Sequence, residues 1–236
     1  MTNSDETLIR FNSSQLPNNF VALAAMVVEG TCTHAGILIR HQGANYLCHY
    51  PGSELPEVVS LVSEDPIYVY KIWKGIRTNE ESEAGSFLQH CRRVCSRSDI
   101  TYSFVLDRSN YDLEGFFVAN DGLPELGTCV GFCVKVLTSY LVHADSYFFL
   151  DDWDETEIPV YYGAMYDQRV IQRFPEIDWD TYATFRKRIT PLEYLSSAFL
   201  DGHPISKVAI EGIRSEVVRY ISNLVGEHPP AQPALP

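Results

Sequence analysis

The stretch 126–142, Leu-Gly-Thr-Cys-Val-Gly-Phe-Cys-Val-Lys-Val-Leu-Thr-Ser-Tyr-Leu-Val, constrains the fold of this chain more than any other. Val130, Cys133, Val134, Leu137 and Leu141 recur at helical spacing, and Phe132, Val136 and Tyr140 make the opposite side apolar too. A helix that is apolar nearly all round belongs in a core. Gly127 and Thr128 precede it, and Thr is a competent N-cap. Cys129 then falls in the first turn, where unpaired backbone N–H groups point outward and the helix dipole favours negative charge. A thiolate is stabilised there, so this Cys can act as a nucleophile near neutral pH. The plainer reading is a small buried residue, the usual lot of a free Cys. The rest of the chain has to decide between them.

Length and composition allow one domain with an appendage. The 236 residues are 45% hydrophobic and 21% charged, enough to bury a full core. A net charge of −13 argues against nucleic acid as the main partner, because phosphate binding needs a basic surface. The six cysteines, at 32, 48, 91, 95, 129 and 133, include two pairs one helical turn apart. Such pairs read as buried thiols of a reducing compartment rather than as a disulfide framework. The N-terminus is acidic, and the first apolar run, 20–28, is nine residues long. No signal peptide or transmembrane span is expected, and the expected location is cytoplasmic.

In chain order, 5–12 is expected to hold a short strand, and 20–29 a helix ended by Gly30. Residues 34–40 and 45–50 read as two strands joined by a turn over 41–44. A third strand spans 67–73. A helix follows over 79–96, with the stripe Ala84, Phe87, Leu88, Cys91, Val94 and Cys95. Residues 100–104 are extended. Beyond 150, an acidic loop at 151–157 leads into a short strand at 158–162. Asp178 caps a helix carrying Tyr182, Phe185 and Ile189. Thr190-Pro-Leu-Glu193 is a capping box for a helix to about Leu200, and Ser206 caps a last helix. The Pro-rich tail 227–236 is expected to be disordered. The division is therefore a core over 1–150, a helical extension packed on it over 151–226, and the tail. No Gly-rich phosphate loop is present, and no cofactor is expected.

The register of the first hairpin follows from its turn. Centring the turn between Gln42 and Gly43 sets Arg40 opposite Asn45, Leu38 opposite Leu47 and Gly36 opposite His49. Side chains alternate along a strand and opposed residues share a face. His34, Gly36, Leu38, Leu47 and His49 therefore share one face. Ala35, Ile37, Ile39, Tyr46, Cys48 and Tyr50 share the other. His34 and His49 become diagonal neighbours, with Gly36 leaving room for an imidazole to lean. Two unrelated polar residues near strand ends would look the same.

A Cys at a helix start and a His paired with a second polar residue are the parts of nucleophilic thiol catalysis. Cys129 would attack, His34 would take its proton, His49 would fix the His34 tautomer, and the Cys129 N–H would bind the oxyanion. Cys133, one turn further in, reads as a core thiol.

The motif His34-Ala-Gly-Ile-Leu-Ile, a polar residue on the next strand and Thr128-Cys129-Val-Gly-Phe132 also carry a resemblance. Their order and spacing over residues 5–145 resemble the permuted papain-like, NlpC-type cysteine hydrolases, which include the YiiX-like and lecithin:retinol acyltransferase-like proteins. The resemblance implies an α+β fold: a circularly permuted papain-like fold, with a small antiparallel sheet or half-barrel on the Cys-bearing helix and extra C-terminal helices. It implies Cys129 as nucleophile, His34 as base and His49 as the orienting residue. It places Tyr102 at the substrate pocket, where the group often has Pro-Tyr; here Ile100-Thr precedes the Tyr. Val130 stands where the group usually has Ser.

The expected activity is cleavage of an amide through an acyl-enzyme, as a peptidase or amidase, with peptidoglycan-type peptides a candidate substrate. Acyl transfer or ester cleavage on lipid acyl groups is the alternative. A papain-like fold kept as a non-catalytic binding module is a third reading. A zinc site of Cys32, His34, Cys48 and His49 is a further one, but the register turns Cys48 away from His34. Expected partners are a peptide, amide or acyl-ester substrate and a protein held by the C-terminal helices.

Overall fold

The computed structural model describes residues 8–10, 16–62, 66–141 and 146–226. Among them, the elements run β1 Ile9–Arg10, β2 Phe20–Val28, β3 Thr31–His41, β4 Ala44–His49, β5 Glu57–Ser60, β6 Tyr68–Ile72, α1 Glu81–Arg97, β7 Thr101–Tyr102, β8 Asn110–Tyr111, β9 Phe117–Val118, β10 Leu126–Gly127, α2 Cys129–Thr138, α3 Val160–Arg173, α4 Trp179–Thr184, α5 Pro191–Ser197 and α6 Lys207–Gly226. The fold is mixed α+β, built on a six-stranded antiparallel sheet of order β1-β6-β2-β3-β4-β5.

Two tight turns set this sheet. Glu29 and Gly30, both at positive φ, link β2 to β3, and Gln42 and Gly43, also both positive, link β3 to β4. Two consecutive positive φ values make the hairpin turn whose twist matches that of the strands. The β3–β4 register is the expected one: Arg40 pairs with Asn45, Leu38 with Leu47 and Gly36 with His49.

Residues 20–28 form a strand, not the expected helix. The apolar run is continuous because β2 lies between β3 and β6 and is covered on both faces. Continuous burial erases the alternation that marks a half-exposed strand. The expected strand at 158–162 is likewise corrected: Val160 begins α3, with Pro159 as its N-cap. The central helix starts at Cys129 as expected but ends at Thr138, and Leu126–Gly127 pairs in parallel with β7. The strand expected at 5–12 is described only at Ile9 and Arg10, and the tail 227–236 lies outside the described residues.

The two faces of the sheet bury different things. Val21, Leu23, Ala35, Ile37, Ile39 and Cys48 pack into the main core with Phe87 and Cys91 of α1 and Cys129, Phe132 and Val136 of α2. Ala22, Ala24, Leu38, Leu47 and Tyr70 form a separate cluster on the other face. The C-terminal helices pack closely on this sheet. Leu195 of α5 and Val217 and Ile221 of α6 pack on Ala25, Val27 and Val69. The Tyr194 hydroxyl donates to the Gly36 carbonyl at 3.2 Å. The capping box of α5 is present, with Thr190 and Glu193 each bonded to the other's backbone. Among the described residues, no helix is long and apolar enough to cross a membrane.

Candidate active site

Thr128 ends its extended segment with its side chain turned onto the helix. Its Oγ1 accepts from the Gly131 N–H at 3.1 Å, the N-cap geometry its sequence position calls for. Cys129 is thereby fixed as the first residue of α2 and is buried, 6% exposed. Burial pushes its thiol up, against the pull of the Ala35, Val130 and Cys129 backbone N–H groups and the Arg188 cation. The sulfur thus meets β3 at Ala35, the residue next to His34.

His34 and His49 come together as the register requires. Their Nε2 and Nδ1 atoms are 2.9 Å apart, with the rings edge-on at 83°. Gly36 makes this possible, because a Cβ there would lie 2.8 Å from Leu47 Cδ1 and 3.4 Å from His49 Cβ. Glu57, on β5 opposite His49, extends the chain, with its Oε1 3.3 Å from His49 Nε2. The hydrogen-bond network assigns the protons. Glu57 favours N–H at His49 Nε2, so His49 Nδ1 accepts from His34 Nε2–H. That leaves His34 Nδ1 with a free lone pair. Burial, and then the neighbouring His49, lowers His34 from 6.5 to about 4. Burial lowers His49 as well, against the pull of Glu57. Both rings are neutral at pH 7.

The two halves of the expected triad stand at neighbouring residues of β3 but on opposite faces, and they are not bonded. His34 pairs with Met26 and shares the face of Gly36 and Leu38, whereas Cys129 packs on the face of Ala35 and Ile37. Among the described residues no hydrogen bond joins the His34 ring to Cys129. A register shift between Met26 and Val27 leaves Thr33 without a partner, one residue from His34. Bulges of this kind re-aim side chains and cluster next to active sites.

Tyr102 lies partly buried in an aromatic group. Its ring is 5.7 Å from Tyr50, 4.5 Å from Tyr166 and 6.4 Å from Phe104. Gly52 packs flat on it, since a Cβ there would meet the ring at 2.7 Å. Burial and the Cys129 sulfur both push its hydroxyl up, and Arg188 pulls it down. Arg188 therefore acts on Cys129 and Tyr102 alike. Arg188, Tyr166 and Glu57 were not legible as site residues, because no local motif marks them and only the fold brings them near.

The zinc reading fails on geometry. Cys48 turns into the main core, 3.8 Å from the Cys95 sulfur, and away from the His34–His49 face. Among the described residues no group of three or more His, Cys, Asp or Glu is placed to hold a metal ion.

No protein-family model, curated protein or solved structure matches this chain.

Proposed function

We propose that the protein is a thiol hydrolase of the permuted papain-like kind, cleaving an amide through a Cys129 acyl-enzyme. The observation that carries this reading is the hydrogen-bonded chain His34–His49–Glu57, which orients a neutral His34 one strand residue from Ala35, where Cys129 packs on the other face of the sheet. A helix N-terminal sulfur, a neutral His with a free Nδ1 and a carboxylate-backed second His are the parts that the chemistry needs.

In this scheme the Cys129 proton passes to His34 Nδ1 as the sulfur attacks the substrate carbonyl carbon. A C–S bond forms, and the Cys129 N–H helps hold the oxyanion. Collapse breaks the C–N bond, and His34 returns the proton to the leaving amine. Water then attacks the thioester, His34 takes its proton, and the acid and free thiol are released. His49 keeps the His34 tautomer, and Tyr102 lines the acyl site. The scheme requires a backbone change at the Thr33 bulge that carries His34 to the Cys129 face when substrate binds, because rotation of the ring alone leaves it on the other face.

A second reading is favoured by a different observation. Cys129 is buried, its thiol is pushed up, and it has no bond to His34. Those are the marks of a papain-like scaffold kept as a binding module. Hydrolysis of a panel of fluorogenic peptide amides and acyl esters by wild type and Cys129→Ala separates the two. Amide turnover lost in the variant supports the hydrolase. Turnover confined to acyl esters moves the assignment to the acyltransferase-like branch, and no turnover of either class favours the module.

A further inference from the structure

A second feature lies on the same strand as the candidate thiol. A cavity of about 260 Å³ opens where the start of β3 meets α5 and α6. Arg188, Arg214, Thr31 and Thr190 supply its polar lining, and Leu192 and Ile221 are among its apolar residues. The volume is below the ~300–1,000 Å³ of drug-sized sites, so it suits one small group.

The charge of this lining stands out in a chain of net charge −13. Neither guanidinium has a carboxylate partner among the described residues. Arg188 spends one donor on a backbone carbonyl, that of Glu157, at 2.6 Å. The Thr190 hydroxyl already donates to Glu193 Oε2 at 2.8 Å, which leaves two guanidiniums and the Thr31 hydroxyl as donors, and a guanidinium fork matches the two oxygens of a carboxylate. The apolar residues beside them suit a short hydrocarbon arm rather than a bare inorganic ion.

The cavity is in register with the thiol. Thr31 and Cys32 line it, and Ala35 meets Cys129. Thr31 and Cys32 pair with Val28 and Val27, three and two residues from the Ala25 that pairs with Ala35, so roughly 7–10 Å of strand separates cavity and thiol at ~3.3 Å per residue. An extended peptide covers that span in about three residues.

We propose that this cavity anchors the free C-terminal carboxylate of a short peptide, with the amide to be cleaved about three residues upstream at Cys129. Arg188 and Arg214 hold the carboxylate, and Leu192 and Ile221 take an apolar last side chain. The assignment of the cleaved bond rests on the thiol-hydrolase reading, whereas the anchor itself is a binding site that exists without it.

The test is calorimetric titration of the intact protein with N-acetyl-leucine, N-acetyl-leucine amide and inorganic phosphate, in wild type and Arg214→Gln. Arg214 is exposed and bonds to no other described residue, so its loss leaves the fold intact. The free acid should bind wild type and bind Arg214→Gln at least ~10-fold more weakly, the size of a lost charge-assisted bond. The amide and phosphate should bind far less well than the acid. Equal binding of acid and amide, no effect of Arg214→Gln, or a preference for phosphate would overturn the anchor. Calorimetry does not need Cys129 to react. Acid binding with an inert Cys129 therefore removes the hydrolase and keeps the anchor, and a reactive Cys129 without acid binding does the reverse.

Discussion

His34 Nε2 and His49 Nδ1 lie 2.9 Å apart, so the two rings share one proton between them. Glu57 at 3.3 Å from the far nitrogen of His49 decides which way it points. Long-range ¹⁵N–¹H spectra of the imidazoles at pH 7 should find both rings neutral and both protonated at Nε2. A His34 ring protonated at Nδ1 would remove its free base and contradict the assigned role.

The same pair makes the fold acid-sensitive. His34 titrates near 4 when folded and near 6.5 when unfolded, so between those values the unfolded chain binds more protons. Its contribution is fully present above pH 6.5 and is lost as pH falls to about 4. The loss amounts to at most ~3 kcal/mol, at 1.36 kcal/mol per pH unit. Urea titrations across this window should show a shallower fall for His34→Asn than for wild type. Parallel curves would place the acid sensitivity elsewhere.

Lys135 of α2 is bonded to Asp107, and both side chains are 1% exposed. Ser109 donates to the other Asp107 oxygen at 2.6 Å. Asp107→Asn leaves a buried ammonium without its counter-charge and should cost about 3–5 kcal/mol. Asp107→Leu with Lys135→Met should recover most of that loss, because replacing both charges removes their desolvation cost. Denaturant unfolding of the single and double variants gives the comparison, and a double variant weaker than the single would show that the pair itself stabilises.

Thr128→Ala removes the side-chain cap of α2 and should destabilise by about 1 kcal/mol, whereas Thr128→Ser should be nearly neutral. The same substitution frays the turn that holds Cys129, so Thr128→Ala should also change the Cys129 alkylation rate. An unchanged rate and stability would mean that tertiary packing alone fixes the helix start.

What the sequence made legible was what short-range rules decide. Gln42-Gly43 admits one turn, and that turn sets the register that joins His34 to His49. Thr128 and the Thr190–Glu193 box mark helix starts through bonds a few residues long. Residues 20–28 misled because a strand covered on both faces has no alternation to read. Residues 158–162 misled because β-branched and aromatic residues, favoured in strands, here open a helix after Pro159. The face of the sheet taken by α2 was not legible at all. It depends on how the whole sheet packs, and it separates Cys129 from the His34 ring. Arg188 and Glu57 reach the site only through that same packing.

The measurement that tests the central claim most directly is the alkylation rate of Cys129 by iodoacetamide against pH, read by peptide mass spectrometry in wild type and His34→Ala. The account predicts that Cys129 reacts in the native protein, with burial holding its half-maximal rate above the ~8.5 of a free thiol. It also predicts that His34→Ala slows the reaction at neutral pH. A Cys129 that stays inert in the native protein, or reacts at a rate indifferent to His34, would contradict it and leave the chain a binding module.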